Sequence, residues 1–441
     1  MIQLSDHFTC RLLLRYTFPS IVMLIFTSIY SVVDGFFVSN FVGKTPFAAV
    51  NLIMPYLMIL GSIGFMFGTG GSALIGKTMG EGKAEKANEI FSLLVYASAI
   101  GGLVLAVLGI AFLPRAASLM GAEGQLLKDC VVYGTINLLA VPFYILQFEF
   151  QCLFSAAEKP KLGLCVTVAA GLTNMVLDAV FVGLFRWGLE GAAAATALSQ
   201  LVGGAVPLFY FGRENTSRLR LVRCGFDGRA LRQACANGSS ELMSNISMSL
   251  VSMLFNVRLM KYAGENGIAA YGVLMYVSMI FQAVFLGYSV GAGPVISYHH
   301  GAGNYEEGRG LLRRSLAMIA VFSLLMFAAG QTLARPLSLL FVGYDPELMD
   351  ITVRAFSIFS FSFLFSGLAI FGSSFFTALN DGLTSALISF LRTLVFQCLS
   401  VTVLPLIWGL DGIWLSTVAA DALAVAVTAL FLAGKRKKYH Y

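Results

Sequence analysis

Long apolar runs recur along the whole chain, each about long enough for one helix to cross a membrane, with short polar breaks between them. A spanning helix needs ~20 apolar residues to traverse a ~30 Å hydrocarbon core. Within lipid the backbone must satisfy its own N–H and C=O groups, which leaves only helices and closed barrels. Barrel strands read as ~10-residue segments of alternating polarity, whereas these runs are continuous. An all-α integral membrane fold is therefore expected. Composition agrees: 58% of the 441 residues are hydrophobic and 12% are charged, against roughly 25% charged in a soluble domain. The first run follows Arg11 and Arg15 and no small-residue cleavage motif follows it, so it reads as a retained span rather than a signal peptide.

Charge, Gly and Pro at the ends of the runs predict twelve transmembrane helices. The first six lie at about 14–41, 46–76, 88–112, 128–156, 161–185 and 190–212, and the second six at about 231–261, 267–298, 308–333, 347–379, 383–407 and 412–434. This gives an N-terminal six-helix lobe (1–212), a basic linker (213–230), a C-terminal six-helix lobe (231–434) and a basic tail (435–441). With the N-terminus inside, the cytoplasmic segments hold twenty Lys and Arg, among them six Arg from 213 to 232 and the run Lys435 to Lys438. The opposite face holds eight: Lys44, Arg115, Lys128, Arg186, Arg258, Lys261, Arg335 and Arg354. Positive residues favour the cytoplasmic side, so a multi-pass protein of the cell (plasma or inner) membrane with both termini cytoplasmic is expected. The net charge of +6 then reports topology and anionic lipid, and no nucleic-acid partner is expected.

An internal repeat is the most informative feature. A shift of about 221 residues places Gly43 on Gly264, the stretch Gly80–Lys86 on Gly301–Glu307, Gly188-Leu189-Glu190-Gly191 on Gly409-Leu410-Asp411-Gly412, and Thr196 on Thr417. One residue of slippage pairs Pro114 with Pro336 and Gly121 with Gly343. The shift covers an even number of helices, so the two lobes form a parallel repeat about an axis along the membrane normal. Transporters that rock two bundles around a central cavity are built this way.

The segment Tyr30-Ser-Val-Val-Asp34-Gly-Phe-Phe-Val, the Gly-rich end of span 2 and Asn174-Met-Val-Leu-Asp178 resemble the multidrug and toxic compound extrusion (MATE) transporters. Gly409-Leu-Asp-Gly-Ile-Trp with the preceding intramembrane Arg392 adds to the likeness, and Asn237-Gly-Ser-Ser-Glu241 is similar to a bacterial subgroup. The resemblance covers essentially the whole chain. It implies a twelve-helix fold in two six-helix lobes, and export of bulky, often cationic organic compounds in exchange for inward Na⁺ or H⁺. It also implies an N-lobe cation site at Tyr30, Asp34, Asn174, Asp178 and Thr196.

The residues themselves support that placement. An ionisable group inside a span is costly and is a functional candidate. Asp34 lies in the outer third of span 1, and Asp178 lies ~25 Å from the cytoplasmic end of span 5 at 1.5 Å per residue. Tyr30 precedes Asp34 by four residues and Asn174 precedes Asp178 by four, so each pair shares a helix face. Thr196 reaches similar depth on span 6. Such oxygen ligands suit Na⁺, and a desolvated carboxylate pair can instead share one proton. Substitution of either acid by Asn is expected to abolish transport.

Gln147 and Gln151 share a face of span 4. Gln151 is only ~13 Å from the cytoplasmic loop, which makes Gln147 the better placed of the two to reach the acids. Gln200 and Gln282 are further candidates for cavity or coupling roles. Under the repeat, Asp34 aligns with Phe255 and Asp178 with Leu399, so the second lobe lacks these acids. Glu241, Arg392 and Asp421 do lie within its spans, and Arg392 is expected to be neutralised by Asp421 or Glu241. Met54, Met253 and Met275 are candidates for a pliable substrate wall.

Several patterns carry no chemistry. Gly68-Thr-Gly-Gly and Gly291-Ala-Gly lack the strand-then-helix setting of a dinucleotide site and read as close-packing segments. There is no P-loop, the seven cysteines stand singly, and His299-His300 lacks partners for a metal. No cofactor, no catalytic residue and no metal beyond Na⁺ at Asp34 and Asp178 are expected, and the protein is expected to act as a monomer among membrane lipids. A lipid-linked saccharide flippase of related architecture is the nearest alternative, although such proteins often carry extra spans or several cationic cavity residues. An integral membrane enzyme or a channel would be a different class, marked by ligand clusters or a filter-like segment that are not seen.

Overall fold

A computed structural model describes residues 2–343 and 345–441, and among these there is no strand. The helices are α1 (Cys10–Phe37, continued by a π-helical turn Val38–Val42), α2 (Lys44–Gly80), α3 (Ala84–Leu119), α4 (Gly124–Ala156), α5 (Pro160–Leu184) and α6 (Gly188–Gly212). Two further spans, α7 (228–263) and α8 (265–301), form one helical run broken at Gly264, where φ is 60° and ψ is −147°. Next come α9 (Tyr305–Val342) and α10 (Pro346–Ala378). The last run bends at Gly409 (φ 60°, ψ −132°) into α11 (382–408) and α12 (410–439). That makes twelve spans, as the sequence predicts, although single glycines replace the expected polar turns at two places. The repeat is visible in the backbone: Gly43 and Gly264, Gly82 and Gly303, and Gly188 and Gly409 all take positive φ. Only glycine holds that conformation without a Cβ penalty. Gly121 has positive φ, whereas its partner Gly343 is αR, so the equivalence loosens there.

Helices α3 and α9 run past their predicted ends at 112 and 333, to Leu119 and Val342. Pro114 and Pro336, the prolines matched by the repeat just past those predicted ends, sit inside them. A proline can be carried within a long helix where the freed carbonyl is satisfied locally, and hydropathy cannot see a helix that continues beyond the hydrocarbon. The predicted tail is likewise helical, and Lys435 to Lys438 form the end of α12. The side chains of Lys44 and of residues 36, 39 and 40 lie outside the described residues.

The halves meet at one end. Beneath the face that carries both termini, a single apolar core draws Tyr16, Phe91 and Phe150 from the first half and Phe285, Tyr288 and Phe375 from the second. Toward the opposite face the core divides. Ile53, Leu113 and Leu138 belong to one cluster, and Phe255, Leu274 and Trp414 to another. Glycines allow the close approach at the joined end. A Cβ on Gly70 would lie 2.0 Å from the Ala234 carbonyl oxygen, one on Gly80 2.0 Å from that of Tyr298, and one on Gly238 1.9 Å from that of Met66. Asn380 Nδ2 donates to the Ala73 carbonyl at 3.3 Å, and Ser297 Oγ also donates to it. The N-terminal segment straps the same face. The Leu4 amide donates to Glu158 of the first half (2.7 Å), while the Phe8 amide donates to Glu307 of the second (3.0 Å).

The linker from Arg213 to Asp227 lies against the first half. Leu221 N donates to Phe211 O at 2.9 Å, Val222 N to Ser92 Oγ at 2.8 Å, and Lys86 Nζ to Asp227 at 3.0 Å. The end of α12 is held by Lys435 Nζ, 2.6 Å from Asp381 Oδ2 and in contact with Thr384. Burial alone would raise the Asp381 carboxyl, but Lys435, Tyr439 and Thr384 outweigh it and hold it below the usual carboxylate range. A carboxylate depressed in the folded state adds stability above its unfolded pKa and loses it as pH falls through the folded value. Lys435→Ala is expected to lower the Tm of the detergent-solubilised protein by about 2 °C. The difference from wild type should fade as pH is taken below ~3.9. A difference that stays unchanged down to the lowest pH at which the wild type remains folded would show that the contact works by packing alone.

Candidate cation-binding site

Three helices of the first half bring the acids together. Asp34 is on α1, Asn174 and Asp178 are on α5, and Thr196 is on α6. Asp34 interacts with Asp178, Asn174 and Thr196, and Tyr30 lies near Asp34. Two π-helical turns frame the pair. One follows Asp34 on α1, where the Val38 amide reaches both the Asp34 and Gly35 carbonyls, and the other begins at Asp178. Such turns widen a helix locally and are frequent at functional sites.

Burial makes the cluster unusual. Asp178 is fully buried and Asp34 is 8% exposed. Both oxygens of Asp178, Oδ1 of Asp34 and Oδ1 of Asn174 have no hydrogen-bond partner, and among the described residues no salt bridge reaches either acid. Unpaired carboxylates in an apolar interior are costly. Their convergence gives an all-oxygen site suited to a proton or a monovalent cation. Thr196 donates to the Ala192 carbonyl at 3.1 Å, which leaves its hydroxyl lone pairs free to accept or coordinate.

The other predicted residues divide by position. Gln147 Nε2 is 3.5 Å from the Tyr30 hydroxyl, so it adjoins the group through Tyr30. Gln151 is buried, and neither amide atom has a partner; Gln200, one turn beyond Thr196, is buried with Oε1 unpaired. In the second half Arg392 Nη1 lies 4.0 Å from Asp421 Oδ1, and Glu241 interacts with Arg392 by charge. Arg392 itself sits in a third π-helical turn, Leu391–Val395. Glu241 also lines a small cavity between the halves with Thr69, Cys152, Ser289 and Thr377. Gln282 donates to Ser278 Oγ on its own helix at 3.0 Å. Met54 and Met275 pack on the apolar clusters of their own halves, while Met253 is exposed.

Sequence reasoning missed three residues. Tyr133 on α4 is buried next to Thr196 and close to both acids. Counting depth along α4 as was done for α5 would have found it, since it lies nine residues from the α4 start at Gly124. Asn137 is buried one turn on and donates to the Tyr133 carbonyl at 3.0 Å. Glu149 is fully buried against Ser98 of α3, and neither of its carboxylate oxygens has a geometrically formed partner. It is hidden in sequence between Phe148 and Phe150.

The family model described as MatE matches this chain twice, over residues 19–180 and 242–402. The multidrug export protein MepA of Staphylococcus haemolyticus (strain JCSC1435) is 23% identical over 432 residues, covering 96% of this chain and 92% of the relative. MepA of Staphylococcus aureus (strain MRSA252) is 21% identical, covering 96% and 93%. The solved structure described as the outward-facing conformation of a multidrug resistance MATE family transporter of the MOP superfamily superposes with a TM-score of 0.92. It is 20% identical and covers 97% of this chain and 96% of its own. At that identity the likeness speaks for the fold.

Proposed function

The chain belongs to the MatE family, whose members are multi-pass membrane transporters rather than enzymes, and on that premise we propose a secondary antiporter that exports organic, often cationic compounds in exchange for inward H⁺ or Na⁺. The observation that carries the reading is the buried Asp34–Asp178 pair, which no salt bridge neutralises among the described residues. Two carboxylates without a counter-cation favour whatever positive species reaches them, and a ligand shifts a conformational equilibrium only by its differential affinity for the two states. Ion binding would favour one state and substrate the other. The names of the MepA relatives support small organic substrates, and the Lys/Arg asymmetry supports a plasma membrane protein with the terminus-bearing face cytoplasmic. In that orientation the described conformation is closed to the cytoplasm, and alternating access requires α2 to part from α7 and α8. A monomer contains a complete site, with surrounding lipid as its remaining partner.

The test is efflux of a fluorescent organic cation from proteoliposomes under separately imposed pH and Na⁺ gradients. Either gradient should accelerate efflux over the gradient-free control by on the order of 10-fold. Equal rates with and without both gradients would rule out antiport.

A further inference from the structure

A line of buried polar side chains leads from the acidic pair to the terminus-bearing face, wholly within the first half. On α4, Gln147, Gln151 and Ser155 recur every four residues and therefore share one helix face. Glu158 follows at the turn. On α1 the facing hydroxyls are Tyr30, Ser20 and Tyr16. Gln147 Nε2 lies 3.5 Å from the Tyr30 hydroxyl, Ser20 Oγ lies 3.1 Å from Ser155 Oγ, and the Tyr16 hydroxyl donates to the Ser155 carbonyl at 2.5 Å. Tyr16 also interacts with Glu158, which is buried at the end of the line with Oε2 3.3 Å from Nε of the solvent-exposed Arg218. Ser155, Ser20, Tyr16 and Gln151 are each at most 3% exposed. The widest interruption is at Gln151, where both of its amide atoms and Oε1 of Gln147 lack partners; Tyr30 meets Asp34, and Tyr16 meets Glu158, by charge rather than by a direct hydrogen bond.

Buried polar atoms without partners cost stability, so apolar side chains would pack this space more cheaply. Glu149 is not part of the line, since it faces Ser98 on α3. Resting on the antiport reading above, we propose that this seam is the path by which a proton leaves the Asp34–Asp178 pair for the terminus-bearing face, and that Gln151 is where it is made and broken. An amide does not relay a proton; it holds water that does, and the unpaired amide atoms one helical turn apart supply the two or more polar partners a bridging water needs. Each water or hydroxyl takes a proton on a lone pair as it passes its own on, so no relay group changes charge overall; at the end the Tyr16 hydroxyl swings from the Ser155 carbonyl to hand its proton to the Glu158 carboxylate and takes the incoming one in its place. The break at Gln151 separates the pair from this face in the described conformation. Antiport needs that separation, because a pair open to both faces would leak. The seam also spares the proton from crossing the interface between the halves, which the organic substrate must use.

The experiment uses the full chain in proteoliposomes with a trapped pH dye and ethidium as the probe substrate. Gln151→Leu is expected to slow pH-gradient-driven ethidium exchange and coupled proton flux by on the order of 100-fold. It should leave the number of protons released on ethidium binding in detergent unchanged, because the acids are intact. Ser155→Ala, a smaller packing change, should slow both fluxes in the same direction and carries the test if Gln151→Leu does not fold. Wild-type fluxes in both variants would overturn the seam alone. Lost proton release on ethidium binding would overturn it too, by showing that the substitutions act on the acids themselves. A wild-type protein indifferent to the pH gradient would overturn the proton reading and the seam with it.

Discussion

Asp34→Asn and Asp178→Asn are each expected to reduce gradient-driven export by on the order of 100-fold, the upper range of a single coupling free energy, while the protein still reaches the membrane. Asparagine preserves the volume and one carbonyl oxygen of the acid, so the packing of α1, α5 and α6 around it should survive. What disappears is a negative charge that no lysine or arginine neutralises in a salt bridge among the described residues. With it goes the reason a cation would bind at a fully buried position. The two variants should look alike, because the acids act on each other. Purified protein of wild-type yield and melting behaviour, assayed in proteoliposomes, checks this. Full transport by both single variants would remove the assignment.

Gly238→Val should have a comparably large effect for a different reason. Its Cβ would stand 1.9 Å from the Met66 carbonyl oxygen, a contact that neither backbone can relieve while α2 and α7 stay together. The halves should be forced apart at the face where they now share a core. Cys152 reports this directly: it is 1% exposed and lines the cavity between the halves. We expect maleimide labelling of Cys152 in the variant but not in the wild type, with transport reduced by on the order of 10-fold or more because one of two states is disfavoured. Gly101→Val is the control, since nothing lies within 4 Å of its Cβ position. An unlabelled Cys152 together with normal transport in Gly238→Val would show that the interface does not open.

The two expectations draw on different kinds of legibility. Asp34 and Asp178 are visible in sequence because a carboxylate inside an apolar run is costly, and residue counting gives its depth. Arg392 and Asp421 are visible for the same reason, and the structure brings Arg392 within 4.0 Å of Asp421 while Glu241 also acts on it by charge. Tyr133 is not flagged by cost, because a tyrosine in a membrane helix is ordinary and only its neighbours make it part of the site. Gly68-Thr-Gly-Gly reads as a close-packing segment, and Gly68 does lie against the Glu149 backbone. Nothing local says that Gly70, two residues later, faces Ala234 in the other half.

Sequence by itself determined the all-α membrane fold, the twelve spans, the repeat with its turn glycines, and the depth of the buried acids. Hydrocarbon thickness sets the length of every span, and depth follows from residue number along a helix of known rise. Tertiary structure alone decided which helix faces meet: that α1, α5 and α6 converge on the acids, that Gln147 touches Tyr30, and that the halves share a core at one end only. Those outcomes depend on rotation about each helix axis and on packing between segments far apart in the chain, which no local pattern encodes.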